Sequence, residues 1–172
     1  MSLADSLTRA DDLLLDRVFQ PIADRFGGKP DAFDIGMSLQ IGAIVFLLAA
    51  DLALLAVNRL GWAGAAWDGL SAACGVWFYR VMHAWRGLVR DGHANPLRAI
   101  YRPLRLFALF YALFSVWQFI TAAPPDRIAM VFDAASNLTF VAGMYFIACE
   151  RRPPVRKTAP VQSSPWTATS YG

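Results

Sequence analysis

Charged side chains are scarce in this sequence, and the scarcity is concentrated in four long intervals. Only 17% of the 172 residues are Asp, Glu, Lys or Arg, whereas a typical soluble domain has about 25%. Each interval holds at most one charged residue and is long enough for the roughly 20 residues with which a helix crosses a bilayer. We therefore predict four transmembrane helices, over residues 35–57, 61–83, 104–123 and 128–149.

The sequence also lacks the motifs of catalysis, nucleotide binding and metal binding. It contains no P-loop, GxSxG, HExxH or glycine-rich nucleotide motif. The two histidines, His83 and His93, have neither a haem nor a zinc spacing, and Cys74 and Cys149 lie at different predicted depths. We predict no metal and no cofactor, and the sequence favours a non-enzymatic protein. No folded nucleic-acid reader accompanies the basic residues, so nucleic acid is not an expected partner.

The second predicted span is the least apolar of the four, because its sequence GWAGAAWDGLSAACGVWFY is rich in Gly and Ala. A re-entrant or surface segment is the alternative for it. The links NRLG and PPDR are hairpin-sized and favour antiparallel neighbours, so the predicted fold is an all-α, integral membrane four-helix bundle. Small residues recur every four positions along this span and permit close packing inside the bundle or in a homo-oligomer: Gly61, Ala65, Gly69 and Ala73.

Basic residues are distributed very unevenly between the two predicted sides of the membrane. Fourteen of the 16 Lys and Arg residues lie in the N-terminal arm, in the segment between the second and third spans, and in the tail. Only Arg59 and Arg127 lie in the two short links. By the positive-inside rule both termini are cytoplasmic. Arg outnumbers Lys fourteen to two, which is typical of a GC-rich bacterial genome, and we predict a multi-pass protein of a bacterial inner membrane.

Residues 1–34 form an amphipathic arm, residues 35–149 the membrane domain, and residues 150–172 a Pro-, Ser- and Thr-rich tail that we predict to be disordered. The arm is too charged to cross the bilayer, so we predict a helix at the cytoplasmic interface, with Pro21 kinking or breaking it near its middle. Its apolar stripe has helical spacing: Leu15, Val18, Phe19, Ile22 and Phe26.

Opposite charges suggest where the arm binds. The arm carries seven Asp and four basic residues, whereas the segment from Arg80 to Arg105 carries six Arg and one Asp. We call these six arginines the basic ledge and predict that the acidic arm docks on it, in the same chain or in a neighbour. The alternative is a ledge that only contacts lipid phosphates. The basic ledge comprises Arg80, Arg86, Arg90, Arg98, Arg102 and Arg105.

Each predicted span carries polar side chains at a similar depth, near the periplasmic edge. Carboxylates are expensive in lipid, at roughly 3 kcal/mol each at the helix centre, so we predict that these groups face one another. They form either a proton, cation or polar-substrate site or an interhelical hydrogen-bond lock. The predicted polar layer comprises Asp51, Asp68, Gln118, Asp133 and Asn137.

The third span carries an aromatic stripe at helical spacing. Such a stripe is most often ordinary packing or lipid contact, although a quinone, a pigment or a bound lipid is an alternative. Its members are Phe107, Phe110, Tyr111, Phe114 and Trp117.

Two functions from different classes follow from these features. The first is a non-catalytic accessory or assembly subunit that associates with other subunits of a larger inner-membrane complex. The second is a small oligomeric transporter, or a protein that translocates protons or cations through its intramembrane carboxylates. An enzyme acting on a lipid or quinone has the least support.

Overall fold

The computed structural model describes residues 3–26, 30–58 and 60–151, and every regular element in these ranges is helical. The disorder predicted for the tail falls mainly on residues 152–172, outside the described residues. In chain order the elements are α1 (Leu3–Leu14), a π-helical segment (Leu15–Phe19), α2 (Gln20–Arg25), α3 (Ala32–Ala56), α4 (Trp62–Trp85), a 3-10 turn (Arg86–Leu88), α5 (Pro96–Ile100), α6 (Arg102–Thr121) and α7 (Arg127–Ala148).

Three of the long helices, α3, α6 and α7, are long and apolar enough to cross a membrane. The 24 residues of α4 give it a length of about 36 Å, which also suffices. However, α4 is rich in glycine and tryptophan, and its mean hydropathy is too low for it to count among the helices apolar enough to cross a membrane. The all-α class is therefore confirmed, and three of the four predicted spans qualify as membrane helices.

The sequence predicted that Pro21 would kink or break the helix of the arm. In the structure the helical chain continues through Pro21 without a break. Proline lacks an N–H group and crowds the preceding turn of an α-helix, and here a wider π-helical turn directly precedes α2. The altered spacing changes which residues face the protein. Leu15 is buried, but Val18 and Phe26, both assigned to the apolar stripe, are exposed.

The long helices adjoin one another in the order α4, α3, α7, α6, and α4 does not pack along α6. The expected bundle is therefore open on the side between these two helices. The closest pair is α3 with α7, where a Cβ atom on Gly36 would lie 2.7 Å from the carbonyl oxygen of Gly143. At the same interface, the hydroxyl of Ser136 donates to the carbonyl oxygen of Ala43 at 2.7 Å.

Contacts at the helix ends establish their directions. Arg86, directly after α4, lies 2.7 Å from the carboxylate of Asp34 in the first turn of α3. Arg102 begins α6 and is paired with the arm, and the backbone of Glu150, just after α7, is bonded to Gln20. We call this end of the molecule the arm end and the opposite end the far end. Consequently α3 and α6 begin at the arm end, and α4 and α7 finish there.

The buried core is concentrated at the arm end, where the arm, α4, α5 and α7 meet. Leu15, Met82 and Leu97 are fully buried in it. Farther along, the outer faces of α3 and α6 expose large apolar side chains, such as Leu52 and Trp117. Such exposure is expected of helices that face lipid.

Candidate functional site

The first candidate site is a cluster of carboxyl groups that lies between the long helices. Asp51 of α3 and Asp68 of α4 lie side by side, within hydrogen-bonding reach, and Asp133 of α7 is close enough to interact with both. All three side chains are partly buried. Asn137, one turn from Asp133, donates to its carboxylate at 3.2 Å and to its backbone carbonyl at 3.0 Å. We call these four residues the acid cluster.

The α6 helix contributes to the acid cluster through a residue that sequence reasoning did not select. The hydroxyl of Tyr111 interacts electrostatically with Asp133 and Asp68. Gln118, the predicted member, is exposed, and within the described ranges its side chain makes no hydrogen bond to the acids. Tyr111 lies two helical turns nearer the arm end than Gln118. Gln118 was selected by its predicted depth alone, and depth does not determine which way a side chain points around the helix axis.

The acid cluster has no cationic neighbour among the described residues, since none of its carboxylates takes part in an ion pair there. It also does not bring three potential metal-ligating groups close enough to hold a metal ion, a statement that again covers only the described part of the chain. Adjacent carboxylates without a cation repel one another, so sharing a proton or taking up a monovalent cation stabilises them. This is the chemistry that the cluster offers.

The second candidate site is the contact between the arm and the basic ledge. Arg105 pairs with Asp11 at 2.6 Å, and both side chains are 0% exposed. Arg105 also lies over the ring of Tyr145, 5.4 Å from its centroid, and Phe19 stacks on that ring at 4.7 Å. The structure thus places the arm on the ledge of its own chain, with a desolvated ion pair at the centre of the contact.

Two further ledge arginines bind the arm nearer the surface. Arg98 donates to Asp12 at 3.0 Å and to Asp16 at 2.8 Å, and Arg102 donates to Asp12 at 2.8 Å. The hydrogen bond to Asp16 raises the pKa of the Arg98 guanidinium above its ordinary value. These contacts join residues more than 80 positions apart in the chain, which makes the arm part of the folded domain.

The remaining ledge arginines differ from these three. Arg86 pairs with Asp34 and, at 3.8 Å, with Asp31 at the start of α3. Arg80 and Arg90 are exposed, and neither has an ion-pair partner among the described residues. The structure therefore divides the ledge into four arginines that bind protein carboxylates and two that do not.

Polar side chains that sequence reasoning missed hold the end of α7. The amide group of Gln20 both donates to the carbonyl oxygen of Glu150 at 3.1 Å and accepts from its N–H at 2.8 Å. Asn95 donates to the carbonyl oxygens of Ile147 and Cys149, each at 2.8 Å. These bonds satisfy carbonyl groups that a helix C-terminus leaves unpaired. The only sequence signal for Asn95 was its position before Pro96, where it caps α5.

The aromatic stripe on α6 does not line an enclosed site. All five members are more than 40% exposed, so the stripe faces outward like the other apolar surfaces of α3 and α6. A shallow crevice at the arm end, lined by Phe78, Leu97 and Met144 among others, has no room for a water molecule. Neither feature therefore offers a pocket for a cofactor.

Comparison of the chain with protein-family models, with curated proteins and with solved structures finds no match. The acid cluster, the arm contact and the packing of α4 are therefore the features that bear on function.

Proposed function

We propose that this protein is a non-catalytic accessory or assembly subunit of a bacterial inner-membrane complex, with four membrane spans and both termini in the cytoplasm. The observation that carries this proposal is the one-sided packing of α4. Besides this packing, the proposal requires that α4 crosses the membrane, that the arm end lies in the cytoplasm and that α4 offers a face to a partner.

The directions of the helices support a fourth span at α4. The chain leaves the arm end along α3, and it has returned to the arm end by Arg102, where α6 begins. If α4 did not cross, three crossings would leave the arm and the end of α7 on opposite sides of the membrane. The direct bonds between Gln20 and Glu150 argue against that arrangement. Trp62 begins α4, and Trp77 lies about two turns before its end. Both are highly exposed, which is typical of interfacial tryptophans.

The charge distribution supports the orientation. The arm end carries the arm, the basic ledge and Arg151, whereas the far end carries the two short links, each with a single arginine. The positive-inside rule places such an arginine-rich end in the cytoplasm. The exposed apolar faces of α3 and α6 then face lipid.

The packing of α4 supports association with another membrane protein. Of the long helices, α4 packs along the length of α3 and meets α7 only toward the arm end, where the rings of Phe78 and Phe140 lie 5.5 Å apart. Gly69 and Ala73 are exposed on α4. A Cβ atom on Gly69 would meet nothing within 4 Å. Small residues let the backbones of two membrane helices approach closely, so this face is suited to a partner helix. The same approach would shelter the weakly apolar α4 from lipid.

The test is a substitution that blocks close approach without a clash inside the chain. We expect Gly69→Leu to insert normally, because it adds apolar surface into open space, and to reduce the mass of the complex extracted in mild detergent. Val45→Leu, on the exposed outer face of α3, is the matched control and should leave that mass unchanged. Wild-type protein that extracts as a monomer, or a Gly69→Leu complex of undiminished mass, would refute the proposal.

A second candidate function, proton or cation translocation, is favoured by the convergence of Asp51, Asp68 and Asp133. Its difficulty is the arm end, where a packed core and the docked arm lie between the acid cluster and the cytoplasm. In liposomes holding a pH-sensitive dye, translocation predicts that Asp51→Asn and Asp133→Asn abolish proton entry while Gln118→Ala does not. Equal proton entry in all variants would refute translocation and favour the interhelical hydrogen-bond role for the acid cluster.

A further inference from the structure

The two ledge arginines without protein partners are both exposed toward the arm end, Arg80 in the last turns of α4 and Arg90 just beyond the 3-10 turn that follows it. Arg80 is one turn from Trp77, whose side chain is 68% exposed. His83 and Gly87, which follow toward the end of the helix and the 3-10 turn, are also exposed. Along the axis of α4 the surface thus changes from apolar, through tryptophan, to cationic. This order matches that of hydrocarbon, interface and phosphate in a bilayer leaflet.

The chain neighbours of Arg90 are anchored to the rest of the arm end. Val89 is buried, and Asp91 is paired with Arg151 at 3.3 Å. The N–H of Gly92 donates to the carbonyl oxygen of Arg151 at 3.0 Å. The backbone on both sides of Arg90 is therefore anchored, while its guanidinium remains exposed. An anchored backbone lowers the entropy that is lost when a long side chain binds a ligand.

Charge complementarity identifies the occupant. The four other ledge arginines already bind Asp side chains, and within the described residues no carboxylate pairs with Arg80 or Arg90. At membrane depth beside an exposed tryptophan, the abundant anion is the phosphate of a phospholipid. Arginine binds phosphate through a planar fork of N–H donors.

We propose that Arg80 and Arg90 form a binding surface for the headgroup of an anionic phospholipid, with Trp77 against the upper acyl chain. The basic ledge then has two functions: Arg98, Arg102 and Arg105 dock the arm, and Arg80 and Arg90 engage the leaflet. This inference rests on the proposed crossing of the membrane by α4.

The test titrates the full chain in mild detergent with phosphatidylglycerol and counts bound lipid by native mass spectrometry. We expect Arg80→Gln and Arg90→Gln each to weaken binding about fivefold, since a basic residue near an anionic surface contributes about 1 kcal/mol. Arg80→Lys keeps the charge and should retain most of the affinity. Arg127→Gln, which removes an exposed arginine at the far end, should have no effect.

Several outcomes would overturn the inference. They are unchanged affinity in both glutamine variants, an equal loss in Arg127→Gln, equally tight binding of phosphatidylcholine, or full displacement of the lipid by inorganic phosphate. Labelling of Cys74, which is exposed in the middle of α4, tests separately whether α4 crosses the membrane. In intact vesicles Cys74 should resist a membrane-impermeant maleimide. Rapid labelling would refute the span, whereas protection with unchanged lipid affinity would refute the headgroup surface alone.

Discussion

At the scale of single residues, the Asp11–Arg105 pair is the most demanding interaction in the molecule. Both side chains are fully buried, so each has given up its hydration, a loss of several kcal/mol per ion that the pairing must offset. Arg105 Nη1 has no acceptor among the described residues, so the compensation is incomplete. A pair of this kind contributes more to the position of the arm than to net stability, because the arm can dock only where the charges meet.

Removal of Asp11 should release the arm. Asp11→Ala leaves Arg105 buried and unpaired, which costs about 3–5 kcal/mol. Cys149, buried in the same core as Leu15 of the π-helical segment, should then react with N-ethylmaleimide roughly two to four orders of magnitude faster. Asp16→Ala is the control: its side chain is half exposed, so its loss costs at most about 1 kcal/mol. Comparable labelling of Cys149 in the two variants would contradict a central role for the buried pair.

Cys149 should also make the fold sensitive to alkali. Burial, reinforced by Asp24, raises the pKa of its thiol from 9.0 to about 12. Because the pKa in the folded state is the higher one, the buried neutral thiol contributes its full stability below pH 9 and loses it as pH rises from 9 toward 12. In thermal unfolding, wild type should therefore lose stability across this window more steeply than Cys149→Ala. Parallel pH profiles would show that Cys149 is accessible in the folded state.

At the scale of secondary-structure elements, α3 and α7 form the central pair of the molecule. Their contact has glycine on both sides, and polar side chains bond across it to backbone carbonyls. Gln40, for example, donates to the carbonyl oxygen of Phe140 at 3.0 Å. Bonds of this kind need backbones that approach closely, which is the arrangement that small residues allow in membrane helices. The outer helices pack mainly along one member of this pair each, α4 along α3 and α6 along α7.

Gly36→Ala should therefore weaken the α3–α7 contact. The added methyl group would lie 2.7 Å from a backbone oxygen, and backbone cannot move aside as a flexible side chain can. We expect a loss of about 1–3 kcal/mol, typical of overpacking, measured as a lower unfolding temperature in detergent. Gly69→Ala, which points into open space, should be neutral or slightly stabilising because alanine favours helix. An unchanged unfolding temperature in Gly36→Ala would mean that α3 and α7 can move apart enough to fit the methyl group without losing stability.

At the scale of the whole molecule, the two ends have different characters. The arm end is packed, rich in ion pairs and closed by the docked arm. The far end carries the acid cluster near the open side between α4 and α6. This asymmetry leaves α4, which has the fewest buried residues of the long helices, exposed along one side, as expected if another protein completes the packing.

Reporter fusions test the topology of the whole chain. With four spans, green fluorescent protein should fluoresce at either terminus, and alkaline phosphatase placed in the link between Ala123 and Arg127 should be active outside the cytoplasm. With three spans, the two termini would report opposite sides. Opposite reports would also be incompatible with the bonds between Gln20 and Glu150.

The sequence by itself determined that α3, α6 and α7 are apolar helices of membrane length, and that an acidic arm faces a basic segment. Hydropathy and charge are local and additive, so they can be read without knowing how the helices pack. They were less informative for α4, whose glycines and tryptophans are nearly neutral in hydropathy. They also could not reveal the π-helical turn before Pro21.

Only the tertiary structure decided which side chains meet. It brought Tyr111 rather than Gln118 to the acids, divided the basic ledge between paired and free arginines, and joined Gln20 to the end of α7. These contacts depend on the rotation of each helix about its axis and on its stagger relative to its neighbours. When a helix such as α3 is apolar on every side, its sequence carries no periodic signal for that rotation. The rotation is instead settled by close contacts such as that of Gly36 with Gly143.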